Sequence, residues 1–372
     1  MKWRTLILLA FVAVAGVGAW LVWQSRPKPV LTVATWPGAY GRAQASAMFR
    51  PYGDQARADV RIAQYDGGIE GLRQQVGSHR YAWDVVDLEL PDAIAACDAR
   101  LLEHIDAKTL PAGQNELPPQ ADFVQGALSP CWVASVVYSQ VIAFAPKDYE
   151  GAQPKTAEDF FDLKRFPGTR GLRRTSPKFN LELALLADGV KPADIYATLE
   201  TPDGVKRALA KLNTIRPFVV WWSQSAEPIA MLHGGSVAMT TALNGDVYDA
   251  AAHHQAVGII WDRQLYELEV FGIPRGDPNK DMAMDFLRFA TRAETLAHVA
   301  EWVPYGPARH SAISLVGKNP ELHMAMRPFL PTAPENFATA FRVDDSWWIA
   351  HGAQMNAKWQ EWLAVSRPPR VR

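Results

Sequence analysis

From Pro29 onward the chain alternates strand-like and helix-like segments, and that alternation restricts the fold more than any other feature. Leu31 to Trp36 is a short apolar run of the buried-strand kind, Gly38 to Gly41 reads as a turn, Arg42 to Phe49 as a helix, and Asp59 to Tyr65 as a second strand. The cycle repeats: Gly67 and Gly68 break the chain, Ile69 to Val76 is amphipathic, and Asp84 to Leu90 is a third strand leading into a helix opened by Pro91. A βαβαβ order of this kind implies parallel pairing. A second set follows Val136 to Phe144. Pro154, Thr156 and Glu158 open a helix, Pro167 to Gly171 turn the chain, Leu181 to Ala187 and Val205 to Leu212 are helices, and Val219 to Trp222 and Ser236 to Thr241 are strands. Leu268 to Ile273 then returns as a strand to the first set, with helices over Met282 to Thr291 and Glu294 to Glu301 and a last one near Ile349 to Leu363. The expected fold class is α/β with two lobes and a cleft between them. Residues 29–140 and 268–320 form the first lobe, 141–267 the second, and 321–372 a C-terminal helical segment packing back on them.

The amino terminus sets the compartment. Lys2 and Arg4 precede 18 apolar residues from Leu6 to Trp23, close to the lower limit for crossing ~30 Å of hydrocarbon. Residues 1–28 therefore read as a signal peptide or an uncleaved membrane anchor, with everything beyond Pro29 in the periplasm, because basic residues stay on the cytoplasmic side. In that oxidising compartment Cys97 and Cys131, the only cysteines, are expected to form one disulfide.

Charge argues against nucleic acid as a partner. The chain carries 38 basic and 39 acidic residues, and beyond residue 28 the count is 34 against 39, so the folded part is mildly acidic. No Gly-x-Ser-x-Gly elbow, metal-ligand spacing or phosphate loop is present, so no catalytic residue, metal or cofactor is expected. What remains is 14 tryptophans, several beside carboxylates near strand ends: Trp36, Trp83 before Asp84, Trp222 and Trp261 before Asp262. A buried ammonium needs a carboxylate for charge and hydrogen bonding, and an aromatic face adds ~0.5 to 2 kcal/mol, so this pattern points to amine recognition.

Several segments in this order resemble a known family. They are the Leu31–Trp36 strand with its glycine turn and Tyr40, the Trp83–Glu89 strand, Ala242 to Tyr248, Glu269 to Pro274, and Pro304 to Pro307. Together they are similar to the extracellular solute-binding proteins of ABC importers, within them to the putrescine- and spermidine-binding branch, over about residues 30 to 365. The resemblance implies a monomeric, non-enzymatic protein that closes two lobes over a small cationic amine and delivers it to a permease with its ATPase. It implies ligand contacts from Trp36, Tyr40, Asp246, Glu269 and Tyr305, and Asp87 or Glu89 as a further amine or water site. Pro37 and Gly38 replace polar residues of that branch, which leaves open another organic solute, such as an amino-acid derivative or a thiamine-like cation. A sensory binding protein is a further alternative; an exported hydrolase would need a nucleophile and base that no motif supplies.

Overall fold

The first strand forms where β-branched residues recur without a charge. β1 (Val30–Thr35) is buried along most of its length and pairs in parallel with β2 (Asp59–Gln64) and β3 (Val85–Glu89). The protein's structure is a computed structural model describing residues 27–149 and 151–365; the apolar segment Leu6 to Trp23 lies outside them. Gly38 takes a positive φ (87°) at the turn after β1, and Gly41 is required by packing, since a Cβ there would collide with the Trp36 carbonyl oxygen. The helix α1 (Ala39–Gln44) begins on this turn, three residues earlier than the sequence suggests, and continues through one π turn and on to Ala56.

Two long strands join the halves of the molecule. β4 (Val133–Phe144) pairs antiparallel with β8 (Gly258–Gly272), from Val133 opposite Phe271 to Phe144 opposite Gly258. One end of this ribbon meets β3, through Val86 to Glu89 against Gly272 to Glu269. The other end meets β7 (Met239–Leu243), which pairs with β5 (Arg170–Arg173), itself beside β6 (Val219–Trp222). The resulting order is β2-β1-β3-β8-β4-β7-β5-β6. β8 is fifteen residues long, far more than the Leu268–Ile273 strand expected, and its register slips between Gln140–Leu265 and Ile142–Ile260, where Arg263 takes a positive φ of 55°.

Two main hydrophobic cores follow from this plan. One gathers Leu31, Val33, Leu88, Val270, Phe271 and Phe286; the other gathers Phe144, Leu172, Leu185, Ile260 and Leu265 on the far half, with Trp347 and Trp359 of the C-terminal helix Asp345–Val365. The fold is a two-lobed α/β architecture. Cys97, in the helix α2 (Leu90–Asp98), is disulfide-bonded to Cys131 just before β4, with Cα atoms 5.8 Å apart, as expected. The loop that it closes is worth roughly 3 to 4 kcal/mol through the unfolded chain.

Two local expectations fail. Pro154 to Glu158 opens no α-helix; only a 3-10 turn at Glu158–Phe160 forms, because the Asp159 carboxylate takes the Lys155 and Thr156 N–H groups for itself. The Pro167–Gly171 stretch is not all turn but enters β5, whose Arg170 is buried with its guanidinium on the carbonyls of Phe160, Phe166 and Gly168.

Candidate functional site

The register of β3 and β8 gathers acids. Side chains two apart share a strand face, so Asp87 and Glu89 point the same way, as do Glu267 and Glu269, and Glu89 lies directly opposite Glu269. Like charges so opposed destabilise a sheet. Asp87 is fully buried; its Oδ2 accepts from Gln44 Nε2 at 2.6 Å and from the Thr35 hydroxyl at 3.2 Å, while its Oδ1 has no partner. Burial outweighs these hydrogen bonds and pushes the Asp87 carboxyl up to about 7. Glu269 is also buried, and burial, with Asp87 and Glu89 adding to it, holds its carboxyl well above the ordinary range. Glu89 is exposed, and its carboxyl is raised by desolvation and by Asp92.

Aromatic rings cover these acids. The Trp36 indole N–H donates to Glu269 Oε2 at 3.1 Å, and its ring stands edge-on to Tyr65 with centroids 4.8 Å apart. Tyr65 is itself fixed by hydrogen bonds to Asp92 Oδ2 and the Gly68 carbonyl. The Tyr40 hydroxyl lies 3.1 Å from Ser135 Oγ, and the Tyr40 ring contacts Tyr305 at 5.5 Å between centroids. Tyr305 also touches Tyr138, and a Cβ at Gly245 would lie 3.5 Å from its ring. Trp36, Tyr40, Asp87, Glu269 and Tyr305 are thus one connected layer.

Beside this layer opens a cavity of about 440 Å³ between the lobes, whose wall includes Glu89, Tyr138, Arg173, Lys178, Trp222 and Asp246. Asp246 sits in the first turn of the helix Asn244–Ala252, where a carboxylate is favoured, rather than in a free turn. Its Oδ2 is buried without a hydrogen-bond partner, and burial, with a smaller contribution from Asp249, raises the carboxyl to about 6. Of the expected residues only Asp246 and Glu89 line the cavity; Trp36, Tyr40, Asp87, Glu269 and Tyr305 do not, and they meet it through the contacts of Tyr305 with Gly245 and with Tyr138.

The opposite charge comes from residues the sequence reading did not single out. Arg173, the last residue of β5, donates through Nε to Thr175 Oγ1 at 3.0 Å and lies 5.9 Å from the Trp222 ring centroid; it makes no ion pair among the described residues. Lys178 is committed elsewhere. It bonds the Glu267 carboxylate and, at 2.8 Å, Asp345 Oδ1, and these two acids raise its pKa against the opposing effect of burial. The signal for Arg173 was present as paired arginines after Gly171-Leu172, but a strand of four residues with a charge at each end does not look like one. In the sequence Trp222 is only one aromatic among several. Glu182 is turned away into the second core, where it accepts from the Trp348 indole at 2.6 Å. Asp84 and Asp262, the acids beside Trp83 and Trp261, are structural instead, taking the Thr32 and Ala157 N–H groups respectively.

A model of the bacterial extracellular solute-binding proteins matches residues 47–325, three quarters of the chain. The chain belongs to this family. Among relatives of such solute-binding proteins, a γ-aminobutyric acid-binding protein of Pseudomonas aeruginosa is 36% identical over 334 residues, covering 90% of this chain and 91% of that one. The crystal structure of MotA from A. tumefaciens B6 in complex with glucopine is 28% identical with a TM-score of 0.67, covering 89% of this chain and 99% of that one. A spermidine/putrescine-binding PotD from Streptococcus pneumoniae has a TM-score of 0.69 over 90% of this chain and 99% of its own, but only 14% identity, so it shares the fold. Among the described residues no helix is long and apolar enough to cross a membrane.

Proposed function

We propose that this protein captures a small ω-amino acid of the γ-aminobutyric acid kind in the periplasm and presents it to an ABC permease. The amino-acid alternative is favoured over putrescine or spermidine. One observation carries the reading: among the described residues, a guanidinium without an ion pair, Arg173, and a buried carboxylate oxygen without a hydrogen-bond partner, on Asp246, stand on the wall of the same cavity. A zwitterion with its charges at opposite ends satisfies both, whereas a diamine would bring a second ammonium to an arginine. The relative that binds γ-aminobutyric acid, matching nearly the whole chain, supports the same choice.

In this mechanism Arg173 takes the ligand carboxylate, with Trp222 beside it. Asp246 takes the ammonium, with Glu89 and the Glu269 layer supplying further negative potential and Trp36 and Tyr305 shielding the methylenes. The closing bodies we assign are 29–140 with 268–320 against 141–267, the latter carrying the helix Asp345–Val365 in its core. Because ligand contacts on both bodies form only when they approach, binding shifts the population toward the closed form that the permease reads.

The test is calorimetry on the segment from residue 29, with γ-aminobutyric acid, putrescine, spermidine, glutamate and thiamine. Tight one-to-one binding of γ-aminobutyric acid, with putrescine at least ~100-fold weaker, is expected. Putrescine binding without γ-aminobutyric acid binding would overturn the proposal.

A further inference from the structure

The acids on the first-lobe side of the cleft present an electrostatic problem that hydrogen bonds alone do not solve. Asp87 and Glu269 are both buried, and neither makes an ion pair among the described residues. Around them stand Tyr40 and Ser135 from α1 and β4, Tyr65 and Asp92 behind Trp36, Glu89 opposite, Glu267 further along β8, and Tyr138 and Tyr305 toward the cavity. Lys178, the cation on the adjoining cavity wall, is already held by Glu267 and Asp345. Asp87 Oδ1 is fully buried with no partner at hydrogen-bond distance, and the nearby Tyr40 hydroxyl stabilises the carboxylate less than burial destabilises it.

We propose that a proton is held on the Asp87–Glu269 pair before ligand enters and that entry of the ligand ammonium expels it to solvent. This rests on the amine reading above and adds a stoichiometry to it. The step is an exchange of counter-charge. A carboxyl O–H bond breaks and the proton passes to buffer; the ammonium, held by Asp246 on the cavity wall that Glu89 also lines, brings its positive charge beside Glu89, the direct neighbour of Glu269, and so offsets the new carboxylate from a distance; no bond of the ligand changes. The ligand does not supply the proton, because an alkylammonium keeps its own at neutral pH, as lysine does with a pKa of ~10.4. The raised carboxyls of Asp87, at about 7, and of Glu269 agree with a proton retained near neutrality. Asp246, at about 6, is largely ionised by pH 7.5 and contributes little there.

Titration of the protein with γ-aminobutyric acid at pH 7.5, in buffers of different ionisation enthalpy, reads the proton count directly. Release of about a quarter of a proton or more per ligand is expected, falling toward zero in Asp87→Asn and in Glu269→Gln, while Asp246→Asn keeps the release despite weaker binding. Binding to the wild type with no buffer dependence overturns the inference and leaves the amino-acid reading standing. Failure of every amine to bind overturns both.

Discussion

The two walls of the cleft are built in opposite ways. On the first-lobe side the charged groups sit on β3 and β8 within a sheet, and each is fixed: Asp87 by Gln44 and Thr35, Glu269 by Trp36. On the second-lobe side Arg173 ends a four-residue strand and has one side-chain hydrogen bond, to Thr175. One wall is a preorganised surplus of negative charge; the other offers Asp246 to an ammonium and one guanidinium with freedom to meet an anion. On the proposed reading the first wall adds negative potential around the amine, and Arg173 of the second decides which amine.

Breaking the second wall should have the largest effect. Arg173→Ala is expected to weaken γ-aminobutyric acid binding by about 100-fold or more, since truncating one partner of a buried charge pair costs ~2 to 5 kcal/mol, and to narrow the gap to putrescine. Calorimetry with both ligands checks this; an equal loss for both would remove the division of labour. Next comes Asp246→Asn, where the loss of a charge-assisted bond worth ~1.5 to 3 kcal/mol predicts roughly 10- to 100-fold weaker binding of any amine in the same assay.

A smaller effect is expected on stability. Asp87 has a folded-state pKa raised to about 7, so the folded protein holds more protons than the unfolded one between the ordinary carboxylate range and neutrality. Its contribution to stability is fully present below ~4 and is lost as pH rises through 7. Asp87→Asn should therefore match the wild type in thermal midpoint at pH 4 and exceed it by a few degrees at pH 8, without ligand. No difference between the two pH values would mean that folding does not raise the Asp87 pKa. Smallest of all, Trp36→Phe keeps a ring but loses the indole N–H to Glu269, worth about 1 kcal/mol, and should weaken binding severalfold in the same calorimetric assay.

The same contrast explains what the sequence disclosed. The first wall was legible because apolar strands end in acids: Val85 to Leu88 and Leu268 to Phe271 announce buried strands, and carboxylates inside them stand out. Of the expected residues, Glu89 and Asp246 line the cavity, while Trp36, Tyr40, Asp87, Glu269 and Tyr305 form the layer beside it. The second wall was not legible because Arg170, buried against three carbonyls, interrupts the apolar signal of β5 and makes Gly168 and Gly171 look like punctuation. Lys178 was hidden for another reason. Its acid partners Glu267 and Asp345 lie 89 and 167 residues away, a separation that no local pattern spans. The two lobes themselves were readable from strand and helix order, but the length of β8 was not, since Trp261 to Gln264 carries polar residues through the slip in register.

The first described strand belongs to one core, and the last helix, through Trp347 and Trp359, to the other. The two extremities of the folded chain are thus fastened to different halves of the molecule. A fluorescent donor placed just ahead of Val30 and an acceptor just past Val365 would change their energy transfer whenever the halves move, making the protein a reporter of its own occupancy without any dye in the cleft.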